Sequence, residues 1–101
     1  MDYLKEYGLT DEEIEEINNE LSKNEDCYKT FIYESDKVKE ILDLFTSIGV
    51  DNLYNIITTS PLMFISSVSY IRDKIIGYEN KSELRDLLNE NAMNLSILNL
   101  Y

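Results

Sequence analysis

The chain lacks histidine and tryptophan altogether, and it contains one cysteine and one proline in 101 residues. Without histidine, and with Cys27 as the only thiol, the usual nucleophile–base pairs and nitrogen–sulfur metal sites cannot be assembled. No phosphate-binding loop, dinucleotide fingerprint or calcium loop occurs in the sequence. We therefore predict that the protein is not an enzyme and has no catalytic residues, no metal ligands and no cofactor.

Basic residues are also scarce, because 9 Lys and Arg face 20 Asp and Glu and the formal net charge is −11. Residues 1–43 carry a net charge of −9, whereas residues 44–101 carry only −2. An acidic surface repels phosphate backbones and attracts basic partners. We expect a protein partner, more plausibly a basic one, and we regard nucleic acid as an unfavourable ligand.

Signals for membrane insertion and secretion are weak. The uncharged run 52–71 is long enough to span a bilayer, but nine of its residues are Asn, Thr, Ser or Pro, so we reject a membrane span. The first residues, MDYLKEYG, lack the apolar run of a signal peptide, and a single cysteine excludes an intrachain disulfide. We expect a cytoplasmic protein, and the Asn, Ile, Lys and Tyr bias is typical of AT-rich bacterial or phage genes.

The clearest helix start lies at Thr10. Thr10 and Glu13 have the T-x-x-E spacing of a capping box, and Leu9 and Ile14 have the spacing of a hydrophobic staple. We therefore expect a helix that begins at Asp11. Its buried face should carry the apolar residues that recur at helical spacing, namely Ile14, Ile17 and Leu21.

A second strong helical pattern lies between Ser35 and Gly49. Ser35 is the expected N-cap, and apolar residues recur at i, i+3, i+4, i+7 and i+10 in Val38, Ile41, Leu42, Phe45 and Ile48. Asp51 is expected to cap the next helix. Gly49 should end the long helix in a left-handed conformation, which glycine adopts without steric cost.

Further helix signals follow the single proline. Pro61 should begin a helical turn, since proline at the first helical position loses no hydrogen bond. Ser66 or Ser67 should start a helix that ends at Gly77 in a left-handed cap. Asn80 and Glu83 have the spacing of another capping box.

The order of an apolar residue after glycine, a helix, a short turn and a longer helix recurs after Gly8, Gly49 and Gly77. The sequence therefore predicts an all-α fold with no sheet, built as a short helical-repeat array of about three degenerate helix-turn-helix units. We expect a single domain, 1–101, with units at about 8–48, 49–76 and 77–101. The third unit lacks its final helix.

Residues 44–77 contain the run SIGVDNLYNIITTSPLMFISSVSYIRDKI, which resembles a repeat of the mitochondrial transcription termination factor family. The segments after Gly8 and Gly77 resemble it loosely. The resemblance implies a curved stack of helical triplets, in which family members hold nucleic acid on a basic concave face. Here the only basic cluster is interleaved with acidic residues, and it consists of Arg72, Lys74, Lys81 and Arg85.

Two segments are candidate partner-binding sites. In the first predicted helix, Glu12, Glu16 and Glu20 follow one another at i, i+4 and advance about 6 Å per step, near the spacing of phosphates along one strand. Glu13 belongs to the same acidic set. The second segment is the apolar C-terminal tail, which should dock on the core or on a partner through Leu98, Leu100 and Tyr101, and a homo-oligomer through this tail is an alternative.

The leading hypothesis is a non-catalytic helical protein–protein interaction module of a bacterial or phage protein. The alternative is an acidic nucleic-acid-mimicking inhibitor of the anti-restriction or anti-CRISPR type, and nucleic-acid binding like the resembled family comes third. The acidic helix can equally be a solvated face that keeps a small protein soluble. Tyrosines are frequent at interfaces, so contact candidates also include Tyr3, Tyr7, Tyr28, Tyr33 and Tyr54.

Overall fold

The computed structural model describes residues 1–100, which form only helices and turns, with no strand. The all-α prediction is confirmed. The α-helices are α1 (Asp11–Leu21), α2 (Glu25–Tyr33), α3 (Ser35–Ser47), α4 (Leu53–Thr59), α5 (Val68–Ile76) and α6 (Lys81–Glu90). Three 3-10 helices, here the first, second and third, span Asp2–Tyr7, Pro61–Ile65 and Ala92–Leu98. None of the helices in residues 1–100 has the length and apolar character to cross a membrane.

The N-terminus of α1 has the predicted capping box. The Thr10 hydroxyl accepts a hydrogen bond from the Glu13 amide at 3.1 Å, and the Glu13 carboxylate accepts one from the Thr10 amide at 3.0 Å. Two of the amides that a helix start leaves without an intrahelical partner are thereby satisfied. The helix begins at Asp11, as predicted, and buries Ile17 and Leu21.

Two predicted N-caps are wrong by one residue. Ser35 is the first residue of α3, and its N-cap is Glu34, because the Glu34 amide closes α2 on Thr30 while its carbonyl accepts from Val38 to open α3. The N-cap of α4 is Asn52. The Asp51 amide is instead bonded to the Asn89 side chain at 3.0 Å, a tertiary contact that local spacing does not indicate.

The predicted left-handed cap is correct at Gly49 and wrong at Gly77, and Gly8 is also left-handed. Gly8 has φ 82° and Gly49 has φ 95°, whereas Gly77 has φ −67°. The Lys81 ammonium donates a hydrogen bond to the Ile76 carbonyl at 2.9 Å. Because a side chain satisfies this helix end, α5 needs no left-handed residue there.

Gly49 and Asn99 occupy equivalent positions in two Schellman motifs. The amides of Gly49 and Val50 bond to the carbonyls of Thr46 and Phe45, at 3.0 and 3.1 Å. The amides of Asn99 and Leu100 repeat this pattern, with Asn99 at φ 57°. In both motifs the residue after the left-handed position is buried, which is the usual hydrophobic contact of this cap.

The helices pack in pairs around one apolar core. Helix α1 packs on α4, α2 packs on the second 3-10 helix, and α3 packs on α5. Phe31 and Phe64 join α2 to the second 3-10 helix, with ring centroids 5.0 Å apart. Phe45, which the helical pattern places on an apolar face, is fully buried, and so is Ile71 of α5. Pro61 begins a helical turn and Ser67 caps α5, both as predicted.

The first 3-10 helix covers the N-terminal helices. Its Tyr3 hydroxyl donates to the Phe31 carbonyl of α2 at 2.6 Å, and its Tyr7 hydroxyl donates to the Lys39 carbonyl of α3 at 3.1 Å. Leu4 is fully buried beneath it. We call this segment, Asp2–Tyr7, the N-terminal cover.

Candidate functional site

The carboxylates of the described chain face the solvent. Every Asp and Glu is exposed except Glu13, which is half-buried. The carboxylates of residues 1–100 that form ion pairs are Glu6, Asp11, Glu20, Glu25 and Asp86. The negative charge of the sequence is therefore a property of the surface, where it is available to a partner.

One tyrosine of α4 contacts a predicted glutamate of α1 and lies near two others. The Tyr54 hydroxyl donates a hydrogen bond to Glu16 Oε2. That bond is the main reason why the pKa of Tyr54 is raised, followed by desolvation and the charges of Glu16, Glu13 and Glu20. A negative neighbour disfavours the phenolate, so these carboxylates lie close enough to act on the phenol. We call Glu13, Glu16, Glu20 and Tyr54 the acidic seam.

The members of the acidic seam have different local roles. The Glu13 carboxylate belongs to the capping box, and Glu20 Oε1 lies 3.1 Å from Lys23 Nζ. Glu16 is held by Tyr54. Glu12, the fourth predicted residue, is exposed and is not among the carboxylates that raise the pKa of Tyr54. The structure thus groups Glu13, Glu16 and Glu20 and leaves Glu12 apart.

A polar cleft of about 130 Å³ adjoins the acidic seam. It shares Glu13 and Tyr54 with the seam, and its other polar lining residues include Asp51, Asn52 and Asn55. The Asn55 amide donates to the Asn52 side chain, which orients both. The sequence indicated Tyr54 only as one of five tyrosine contact candidates, and it did not indicate the other residues of this cleft. They come to lie beside Glu13 because α4 packs on α1.

The predicted residues of the C-terminal tail lie in the core. Leu98 is 5 % exposed and Leu100 is 7 % exposed. The Leu100 carbonyl accepts a hydrogen bond from the Ser60 hydroxyl at 2.6 Å. Of the two destinations that the sequence left open, the structure shows the core for these leucines, and little of either side chain is open to a partner or a second copy. Tyr101 lies outside the described residues.

The remaining reactive side chain, Cys27, is buried. Desolvation, with a smaller effect of the Asp26 charge, raises the pKa of its thiol. A thiol whose pKa is raised stays protonated at neutral pH and is a poor nucleophile. Within residues 1–100, no group of three or more His, Cys, Asp or Glu is arranged to hold a metal ion.

Comparison with protein-family models gives no match for this chain, and comparisons with curated proteins and with solved structures give none either. The resemblance of residues 44–77 to the mitochondrial transcription termination factor repeats accordingly stays a prediction.

Proposed function

We propose that the protein is a non-catalytic helical module that binds a basic segment of a protein partner at the acidic seam. One observation carries this proposal: Tyr54 donates a hydrogen bond to Glu16 and lines a polar cleft together with Glu13, and Glu20 follows Glu16 at i+4 on the same side of α1. Like charges so close together on a helix are unfavourable, by about 0.2 to 0.5 kcal/mol per pair. A lysine or arginine side chain from a partner would relieve that repulsion and gain charge-assisted hydrogen bonds.

The second candidate function is inhibition by nucleic-acid mimicry. The spacing of Glu12, Glu16 and Glu20 along α1 favours it, since successive carboxylates advance about 6 Å. Lys23 pairs with Glu20 and Tyr54 donates a hydrogen bond to Glu16, so a mimic would have to exchange both contacts, as would a basic segment at the seam. Nucleic-acid binding by the resembled family's route is the third candidate, and the exposed carboxylates oppose it.

We also propose that the fold is a short array of about three degenerate units, at about 8–48, 49–76 and 77–101, in a cytoplasmic bacterial or phage protein. The packing of α1 on α4, of α2 on the second 3-10 helix and of α3 on α5 supports the first two units, because each pair joins elements at the same place in those units. Neighbour-on-neighbour packing of this kind is typical of repeat proteins.

The seam can be tested with a fluorescein-labelled basic helical peptide that carries lysines four residues apart. Binding is measured by fluorescence anisotropy at low and moderate salt. The double variant Glu16→Gln/Glu20→Gln should weaken binding at least about 10-fold, which corresponds to about 1.4 kcal/mol. The matched control Glu79→Gln/Glu90→Gln removes the same number of exposed carboxylates from the C-terminal half and should change the affinity less than about 2-fold.

Equal losses in both double variants would mean that only net charge attracts the peptide, and the seam proposal would be wrong. The two candidate functions separate in a competition experiment with a native partner isolated from the source cells by crosslinking to α1. Duplex DNA in excess should displace a mimic from a nucleic-acid channel. It should leave a peptide-like basic segment bound to the seam.

A further inference from the structure

A groove runs along one side of α5. Tyr70, Asp73, Lys74 and Gly77 recur at i, i+3, i+4 and i+7, so they form one stripe along the helix. Tyr70 lines a cleft of about 490 Å³, and the other three line a cleft of about 270 Å³. Both clefts are bordered by Asn99, so they are neighbours along α5. We call the two clefts together the α5 groove.

The α5 groove is open and has a mixed polar and apolar lining. The opposite wall is the C-terminal segment 97–100, and Pro61, Leu62 and Met63 lie at one end. Tyr70, Leu62 and Ile97 are 46 %, 61 % and 50 % exposed, so exposed apolar side chains cluster along this groove. In the described chain, α3 packs on α5, but the Tyr70 side of α5 remains uncovered.

The stripe along α5 is complementary to itself when it is reversed. If two α5 helices pack antiparallel across a two-fold axis between positions 73 and 74, Tyr70 of each copy faces Gly77 of the other. The same axis places Asp73 of each copy beside Lys74 of the other. The Tyr70 ring therefore faces Gly77, which has no side chain, and the Asp73 carboxylate faces the Lys74 ammonium. The two-fold axis repeats each of these contacts once.

We propose that a second copy of the chain occupies the α5 groove, so that the protein forms a two-fold symmetric homodimer through α5. The cleft beside Gly77 would receive Tyr70 of the second copy. Lys74 Nζ already lies 5.3 Å from the Tyr70 ring centroid of its own chain, which holds that ring along the stripe. This interface differs from the acidic seam, and neither proposal depends on the other.

The charge distribution permits this contact despite the net charge of −11. Among the described residues that line the groove, only Asp73 and Lys74 are charged, and they cancel. The remaining repulsion between two copies acts over longer distances, where salt screens it beyond about 8 Å at physiological ionic strength. We expect a dissociation constant in the micromolar range, as for interfaces near the lower size limit of specific complexes.

The test is sedimentation equilibrium over a concentration series at about 0.5 M salt, where the Debye length is about 4 Å. The wild-type chain should fit a monomer–dimer equilibrium. Tyr70→Ala should weaken the dimer by about 100-fold or more, since it removes two buried aromatic anchors. Tyr33→Ala removes a more exposed tyrosine of α2 and should leave the dimer constant unchanged.

Charge reversal tests the two-fold register itself. Asp73→Lys should weaken the dimer about 10-fold, because each reversed residue then faces Lys74 of the other copy. Lys74→Asp should weaken it by a similar factor, and the double variant Asp73→Lys/Lys74→Asp should restore it. Glu90→Lys makes the same change of net charge elsewhere and should not weaken the dimer.

Circular dichroism at dilute concentration checks that each variant retains its helices, so that a loss of dimer is not a loss of fold. A wild-type chain that stays monomeric up to about 0.5 mM, far above a micromolar constant, would overturn the proposal. A dimer that survives Tyr70→Ala would also overturn it. Failure of the double charge reversal to restore a dimer weakened by either single reversal would exclude the antiparallel register.

Discussion

The N-terminal cover and the α5 groove differ in how far a helix face is covered by another segment of the same chain. The cover closes α2 and α3 with two tyrosine hydroxyl groups and the buried Leu4. The α5 groove has no such cover in residues 1–100, and Tyr70 and Ile97 stay exposed beside it. The chain therefore covers α2 and α3 with its own N-terminal segment. It leaves the Tyr70 side of α5 open to the second copy proposed above.

The charges differ in the same direction. The cover and α1 belong to residues 1–43, which carry a net charge of −9. Lys5 of the cover pairs with Asp11 of α1, and Glu6 of the cover pairs with Lys39 of α3. Among the described residues, the charged ones that line the α5 groove are one acid, Asp73, and one base, Lys74. A charged, closed surface suits the attraction of a basic partner, whereas a neutral, open groove suits apolar contact.

The largest expected effect breaks the cover. Leu4→Ala should lower the free energy of unfolding by about 2 to 5 kcal/mol, because it leaves a cavity beneath the cover. Ile97→Ala, at the groove, should change it by less than about 0.5 kcal/mol for the monomer. Urea unfolding followed by circular dichroism measures both, and similar costs for the two variants would remove the distinction between the regions.

The next effect compares two glycines. Gly49→Ala should cost about 1 to 2 kcal/mol, because Gly49 has φ 95° and an added Cβ would lie 2.7 Å from Arg85 Cδ. Gly77→Ala, in the α5 groove, should fall within about 0.5 kcal/mol of the wild type, since its backbone is helical and the added Cβ would lie 3.1 Å from the Asp73 carbonyl oxygen and 3.8 Å from that of Lys74, with no overlap as close as the one at Gly49. Thermal and urea unfolding at dilute concentration measure the pair. A larger loss at Gly77 than at Gly49 would contradict the assigned caps.

The smallest effect is a pH dependence that originates in the cover. Desolvation, with the Tyr7 charge, raises the pKa of Tyr3, and desolvation, with the Asp43 hydrogen bond, raises the pKa of Tyr7. The protonated phenols therefore favour the folded state, and their contribution is complete below pH about 10 and declines as the pH rises above it. Urea midpoints at pH 8 and 11 should differ less in Tyr3→Phe/Tyr7→Phe than in the wild type. An unchanged pH dependence in that variant would assign the effect to other groups.

Local signals predicted much of the helical framework. The Thr10–Glu13 capping box, Pro61 at a helix start and Ser67 as a cap all involve residues within four positions of one another, so their hydrogen bonds do not depend on the rest of the fold. The errors at Asp51 and Gly77 have the opposite cause. The Asp51 amide donates a hydrogen bond to the Asn89 side chain, and the Lys81 ammonium donates one to the Ile76 carbonyl. Neither contact is visible in the local spacing from which the caps were predicted.

The candidate site was less predictable than the framework. The acidic composition of α1 is visible in the sequence, but the convergence of Glu13, Glu16 and Glu20 on Tyr54 requires α4 to pack on α1. The tail pattern was equally visible, yet hydrophobic periodicity cannot tell burial in the core from burial against a partner. The structure buries Leu98 and Leu100 in the core.

The sequence by itself determined that this chain is all-α, that its negative charge concentrates in residues 1–43 and that its helices start at particular caps, because these properties follow from composition and short-range hydrogen bonds. The tertiary structure decided which carboxylates meet, which leucines are covered and which helix face stays open. Those outcomes depend on contacts between residues far apart in the chain, where packing and desolvation select among arrangements that the local sequence allows equally.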